Sequence, residues 1–292
     1  MKKKSSPGRI TFKDQWPDMP LAPASGFDSF RKPIPLSMHR HEGYELTYVT
    51  EGEVTWEIKD GPPLRLSGGD AAITQPGTFH CGKWDIIQPC GLFWIIFSPA
   101  VPDSAKNTPF SKNEINAMDK SLRSAGNKVC PASLRLKECF GFLLELMTKA
   151  KNASPDKFAL PLARSIFCEI FVLAAELFSQ PQEKKKESSL LIKANCFMKE
   201  HVSENIGMEK VAEKIGLSST FFSEAFKKES GMTPSDYFRR MKCEEACRRL
   251  ISGSSVTETA FGLGFSSSQY FAEVFKKHTG MTPRQYKSKK KN

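Results

Sequence analysis

"FKKESGMTP" occupies Phe226–Pro234, and "FKKHTGMTP" occupies Phe275–Pro283, forty-nine residues later. The echo extends on both sides. "AEKIGLSSTFFSEAFKKESGMTPSDY" (Ala212–Tyr237) aligns with "AFGLGFSSSQYFAEVFKKHTGMTPRQY" (Ala260–Tyr286), with one extra residue in the second copy after its Gly-Phe-Ser. One small unit is written twice at the C-terminal end of the chain.

Each copy reads as helix, tight turn, helix. In "MEKVAEKIG", Val211, Ala212 and Ile215 fall on one helical face, and Gly216 permits the turn. Ser218 suits the N-cap of a second helix, because its hydroxyl can accept from an otherwise unpaired backbone N–H. On that helix Phe222, Ala225 and Phe226 form an apolar stripe, while Thr220, Ser223, Glu224 and Lys227 face away from it. The second copy follows suit: Val256 to Leu263 is the first helix, Gly264-Phe265 the turn, and Ser266 or Ser267 the cap. Phe271, Val274 and Phe275 point inward; Ser268, Gln269, Ala272, Glu273 and Lys276 point outward. A helix-turn-helix with a polar outward face is a form that reads DNA in the major groove.

The connector gives the pair a physical purpose. Pro234 suits the first turn of a helix, and the next strong stop is Gly253. A helix of about 18 residues is about 27 Å long, and successive major grooves on one face of B-DNA lie about 34 Å apart. One chain thus carries two readers on a rigid rod. Charge agrees with a polyanionic partner: of the net +11, +7 falls from Leu190 onward. Lys287, Lys289, Lys290 and Lys291 are equally readable as a solvated tail.

From about Leu190 to Lys287 the chain resembles the DNA-binding domain of the AraC family of bacterial transcription regulators. The resemblance rests on "A-x3-G-L-S…F…F-K-K-x-x-G-M-T-P" followed by "A-x3-G-F-S-S-x-x-Y-F…F-K-K-x-x-G-M-T-P-x-x-Y". It implies seven helices, the third and sixth entering the major groove. Carried over position by position, its base-contacting sites fall on Thr220, Ser223 and Glu224, and on Ser268, Gln269, Ala272 and Glu273. Ser219, Lys227 and Lys276 complete the expected DNA-facing set. Glu224 and Glu273 depart from the family, which often has basic residues there. A glutamate either accepts from cytosine N4 or turns away from the phosphates.

The N-terminal part obeys another rhythm. Residues 1 to about 35 contain six prolines and read as an irregular arm. From His39 to about Phe97, "YELTYVT", "EVTWEIK", "LRL", "DAAITQ" and "GLFWIIF" are short strands separated by "EGE", "KDGPP" and "SGGD", as in a sandwich or barrel. His39, His41 and Glu45 would point to one face of a continuous strand, and His80 follows. The segment is similar to the cupin pattern H-x-H-x3-E-x6-G, then G-x5-P-x-G-x2-H, with altered spacing around Pro76-Gly77. The resemblance implies a small barrel that senses a ligand. His39, His41, Glu45 and His80, with Trp56, are the candidate effector-binding residues. The same three imidazoles and carboxylate suit iron, manganese, zinc or nickel, and plain structural histidines are the third reading; a metal-free effector pocket is the expectation, with no cofactor. Trp56, Trp84 and Trp94 read as core, though a tryptophan at the mouth would offer a stacking face to a sugar.

Between these parts, Ser133 to Lys149 and Asp156 to Ser179 carry apolar residues at helical spacing: Leu136, Phe140, Leu143, Leu144 and Met147, then Leu162, Ile166, Ile170, Leu173 and Leu177. The second stripe suits helix-on-helix packing in a dimer or closure over the barrel. "QPQEKKKESS" (Gln180–Ser189) is the expected linker. No apolar run approaches the roughly 18 residues of a membrane span, and no signal peptide follows Met1-Lys-Lys-Lys; a cytoplasmic protein is expected, its eight cysteines, none in a C-x-x-C pair, as free thiols.

The expected fold class is α+β: a cupin-like barrel with its arm (1–110), a helical dimerisation segment (111–180), a linker (181–189), and an all-α domain of two helix-turn-helix units (190–292). The expected function is sequence-specific regulation of transcription. Its partners are a double-stranded promoter site, a small effector such as a carbohydrate, a second copy of the chain and, for activation, RNA polymerase. A metal-dependent cupin enzyme fused to a DNA-binding domain is the alternative, and a nonspecific nucleic-acid binder a weaker one.

Overall fold

The structure, a computed structural model, describes residues 10–11, 19–30, 33–152, 157–181, 189–230 and 232–289. Most of the expected linker, much of the N-terminal arm, and Lys290 and Lys291 lie outside the described residues. The chain divides into two compact units, Met1–Arg31 with Leu36–Gln182, and Lys32–Pro35 with Glu183–Asn292. No helix among the described residues is long and apolar enough to cross a membrane.

The first unit is an antiparallel barrel-like sheet backed by helices. Its principal strands are β1 (Ala24–Ser29), β2 (Tyr44–Ile58), β3 (Leu64–Ser67), β4 (Asp70–Thr74), β5 (His80–Gly82), β6 (Cys90–Phe97) and β7 (Lys128–Pro131). Helix α1 (Lys112–Ala125) precedes β7; α2 (Leu134–Asn152) and α3 (Ala159–Ser179) follow it.

Strand β2 organises the sheet. Its first half pairs with β4 and β6, and its second half with β3 and β5. "EGE" is therefore not a hairpin turn: "YELTYVT" and "EVTWEIK" are one strand, bent at a register shift between Val49 and Glu51. Gly52, at φ +77°, makes the bend possible, since a Cβ there would sit 2.7 Å from the Pro89 carbonyl oxygen. A bulge of this kind lets one strand pass between two pairing layers without losing its ladder.

Two segments not expected in the sheet belong to it. Within the proline-rich arm, β1 pairs along β6 from Ala24↔Ile96 to Ser29↔Gly91. Gly26, which weakens its strand signal, is there because a Cβ would lie 2.7 Å from the Trp94 ring; Trp94 in turn donates to Asp28 at 3.1 Å. Inside the segment read as helical, β7 pairs with β4 from Lys128↔Ile73 to Pro131↔Asp70.

Alternation along β2 separates two cores. Tyr44, Leu46 and Tyr48 pack with Phe93, Ile95 and Phe97 against Leu136, Phe140, Phe167 and Phe171 of α2 and α3. Val49, Val54, Trp56, Leu66, Ala72 and Leu92 form the other cluster, inside the sheet. The buried face of α3 is Ala163, Phe167, Ile170, Phe171, Ala174 and Phe178. Of the stripe read from the sequence only Ile170 is fully buried; Ile166, Leu173 and Leu177 flank the core and Leu162 is 53% exposed.

The second unit contains seven helices among its described residues: α4 (Ser189–Glu200), α5 (Met208–Lys214), α6 (Ser219–Ser230), α7 (Pro234–Ile251), α8 (Val256–Phe261), α9 (Ser268–Thr279) and α10 (Pro283–Lys289). Among the described residues none of the eight cysteines forms a disulfide, and only Cys196 is exposed.

Candidate functional site

The two copies are built from equivalent parts, with one extra residue in the second turn. Gly216 at φ +77° and Gly264 at φ +69° make the two turns. Ser218 Oγ accepts from the Phe221 amide at 3.3 Å, and Ser267 Oγ accepts from the Tyr270 amide at 3.1 Å, which settles the second cap as Ser267. Beneath each reader lies the same aromatic trio. Phe222, Phe226 and Tyr237 stack edge to face, with ring centroids 5.4 and 5.2 Å apart. Phe271, Phe275 and Tyr286 follow the same order at 5.5 and 5.6 Å, the first pair tilted and the second edge to face. The "MTP" endings cap the following helices, through Thr233 to the Asp236 amide (3.2 Å) and Thr282 to the Gln285 amide (3.3 Å).

These cores fix which side chains face outward. Ser219, Thr220, Ser223, Glu224 and Lys227 are exposed on α6; Gln269, Glu273 and Lys276 are exposed on α9, with Ser268 and Ala272 half-buried. Helix α7 is an unbroken 18-residue rod with Thr233 as its cap and Pro234 at its start. The sequence reading passed over Phe221 and Tyr270, exposed at equivalent positions on the two readers. The forty-nine-residue period already pairs them.

The histidine cluster is built differently from the expectation. His39 and His41 do not lie on a continuous strand with Glu45, since β2 begins at Tyr44. Instead His39 joins His80 through reciprocal backbone hydrogen bonds of 2.9 Å, which draws the strand-flanking segment onto β5. The outcome is convergence: ligand atoms of His39, His41 and His80 lie within 4.8 Å of one another. Glu45 Oε2 accepts from His80 Nε2 at 2.8 Å and lies 3.9 Å from His41 Nε2.

Electrostatics follow from these contacts. Burial would raise the Glu45 carboxyl, but the His80 hydrogen bond and the charges of the three rings outweigh it and hold the group below its usual range. Burial would lower His80, yet the Glu45 bond and charge and the Thr78 carbonyl raise it. His80 has an acceptor at each nitrogen, Glu45 at one and Thr78 O at 3.0 Å on the other, and only the imidazolium satisfies both. His41 is lowered, chiefly by burial, against the pull of Glu45. Nearby, Trp56 Nε1 and the Thr47 and Thr74 hydroxyls are buried and make no hydrogen bond among the described residues. Register places Glu45 opposite Thr74, and Thr47 opposite Trp94, in one polar patch.

These residues also fit a divalent metal of the kind the cupin fold commonly carries. The Nδ1 atoms of His39 and His80 face the Ser37 and Thr78 carbonyls, at 2.9 and 3.0 Å, which turns both Nε2 atoms toward the cluster. His39, His41 and His80, with Glu45 beside them, would hold the ion, His80 only as the neutral ring that has given up its Nε2 proton, and the ion would supply a Lewis-acidic position for an oxygen ligand.

Two domain models match the chain, one in each part. A cupin domain model matches residues 34–96, and a helix-turn-helix domain model matches residues 211–289. The chain is 27% identical over 238 residues to the MmsAB operon regulatory protein of Pseudomonas aeruginosa, covering 80% of this chain and 71% of that protein. It is 25% identical over 235 residues to the HTH-type transcriptional activator RhaS of Pectobacterium carotovorum, covering 79% and 80%. Among solved structures, the C-terminal domain of AraT, a response regulator from Geobacillus stearothermophilus, is 27% identical with a TM-score of 0.35, covering 36% of this chain and 88% of that one. A barrel of the cupin type joined to two equivalent reader helices defines a DNA-binding transcription regulator. The chain thus carries a helix-turn-helix domain of the AraC type together with a cupin domain.

Proposed function

We propose that this regulator binds one promoter duplex through α6 and α9 in adjacent major grooves, under the control of a small molecule held in the barrel. The observation that carries the reading is the matched burial of the two readers across an unbroken 18-residue α7. Ser219, Thr220, Ser223, Glu224 and Lys227, with Ser268, Gln269, Ala272, Glu273 and Lys276, are the DNA-facing residues of the proposal. In vitro selection from random duplexes with the full chain tests it: two boxes in successive grooves are expected. Gln269→Ala should relax base preference within one box, since a bidentate glutamine–adenine pair is worth about 1–3 kcal/mol. Lys276→Ala should weaken all sequences alike by losing a phosphate contact. An unchanged motif and affinity in both variants would remove α9 from the interface.

The effector reading places a polar ligand, a carbohydrate first among the classes to screen, against His39, His41, Glu45, His80 and Trp56. The unpartnered Trp56 N–H and the Thr47 and Thr74 hydroxyls support it, because a polyhydroxylated ligand would satisfy buried groups that otherwise cost free energy. His39→Ala is expected to abolish the ligand-dependent change in DNA affinity and to leave basal affinity intact. The convergence of three imidazoles favours a second reading, a resident transition metal. Stoichiometric metal in protein purified without chelators would select it. Activation is part of the proposal, with RNA polymerase as its partner; the relative RhaS is named a transcriptional activator. Dimerisation would use the apolar residues left exposed on α2 and α3, Leu134, Phe142, Leu162 and Val172, and sedimentation of Leu162→Glu reads it.

A further inference from the structure

A rod alone leaves the second reader free to swing about its end, and the second unit contains an additional tie. Lys242, in the middle of α7, is only 5% exposed. Its ammonium donates to two backbone carbonyls, Glu204 at 2.6 Å and Leu263 at 2.6 Å. Glu204 lies in the loop between α4 and α5 that leads into the first helix-turn-helix unit; Leu263 lies in the turn of the second. The rings of Phe238 and Phe265 flank the ammonium at 4.9 and 5.4 Å.

A second cation runs beside it. Arg249 donates to the Gly262 carbonyl at 2.8 Å and to Ser203 Oγ at 2.9 Å, and is held by Glu245 at 2.9 Å. The two backbones also touch. A Cβ on Gly264 would lie 2.7 Å from the Glu204 carbonyl carbon and 2.8 Å from the Asn205 nitrogen. So residues 203–205, leading into the first unit, are tied to residues 262–264 of the second by two cations and a close backbone approach.

Packing alone does not call for a charge here. A methionine would fill the same slot, and burying a cation costs desolvation free energy, as the lowering of the Lys242 ammonium to about 8 reflects. What the cation adds is direction: two carbonyls from these two segments must meet one nitrogen. We infer that Lys242, supported by Arg249, is a positioning residue that fixes the separation and rotation of α6 and α9, and thereby the spacing between the two operator boxes. The inference rests on the reading of α6 and α9 as paired readers. One extra base pair between boxes moves them apart by about 3.4 Å and rotates one relative to the other by about 35°. A clamped pair of readers rejects that change, whereas an unclamped pair tolerates it.

The test is parallel selection from random duplexes with full-length wild type, Lys242→Met and Arg249→Gln. Arg249→Gln alters a partly exposed side chain and keeps the test open should Lys242→Met fold poorly. Wild type is expected to return two boxes at one separation. The variants are expected to return the same boxes at a spread of separations, and to bind the wild-type site on the order of tenfold more weakly as effective concentration falls. A purely structural lysine would lower affinity for every site and leave the spacing preference sharp. Folded variants that keep the single wild-type separation overturn the inference. A wild-type selection that returns one box counts against the paired readers themselves, and the clamp falls with them.

Discussion

Phe275→Ala is expected to destabilise the second unit by about 3–5 kcal/mol, the usual cost of emptying a fully buried phenylalanine site. Phe275 is 0% exposed and packs between Phe271 and Tyr286, so its ring joins α9 to α10 beneath the second reader. The distribution of tryptophan makes the measurement clean. No tryptophan follows Trp94, and Trp56, Trp84 and Trp94 lie in the barrel, so fluorescence carries no signal from the C-terminal unit, while helical circular dichroism weighs that unit heavily. In urea the dichroism transition should move to lower denaturant and the fluorescence transition should stay. DNA protection should be lost at the α9 box. A dichroism shift below about 1 kcal/mol would mean that the trio does not hold the reader in place.

Acid should weaken the same unit through His278. This ring is 8% exposed, and its Nε2 has no hydrogen-bond partner among the described residues. Burial first, then the neighbouring Lys277 charge, lowers it to about 4; Asp236 opposes the shift, and Arg240 and Arg239 add to it. Above about pH 6.5 the ring is neutral in the folded and unfolded chains alike and contributes no pH dependence. As pH falls from 6.5 toward 4, the unfolded chain takes the proton first, so stability is lost, on the order of 3 kcal/mol across the window. Below about 4 both states are protonated and the loss stops growing. His278→Leu removes the titration, and its stability should lie flatter than wild type between pH 6.5 and 4. Parallel curves for the two proteins would show that His278 takes no part in the acid response.

Much of the paired-reader unit was written in the sequence, for a physical reason. Its helices are short, their contacts are local, and the period of 3.6 residues sorts Phe222 and Phe226 from Ser223 and Glu224 without reference to anything distant. Duplication then gave an internal control: a position read as buried in one copy, such as Phe226, had its counterpart Phe275 buried forty-nine residues on. Pro234 and Gly253 marked the limits of α7 because proline and glycine act within a turn of the chain, and the structure adds Thr233 as its cap.

The barrel was legible only in part, because sheets are assembled from residues far apart in sequence. Local punctuation made "EGE" look like a hairpin, but the neighbours supplied by β3 to β6 turned it into a bulge within one strand. The strands at Ala24–Ser29 and Lys128–Pro131 carry weak local signals and exist because β6 and β4 offer them an edge. In the same way, the types of His39, His41, Glu45 and His80 pointed to a site, whereas their convergence depended on the backbone bridge between His39 and His80. Lys242 marks the boundary most sharply. In sequence it is one lysine among many on a basic helix; only the fold brings the carbonyls of Glu204 and Leu263 to its ammonium, because partners thirty-eight and twenty-one residues away meet through packing and not through periodicity.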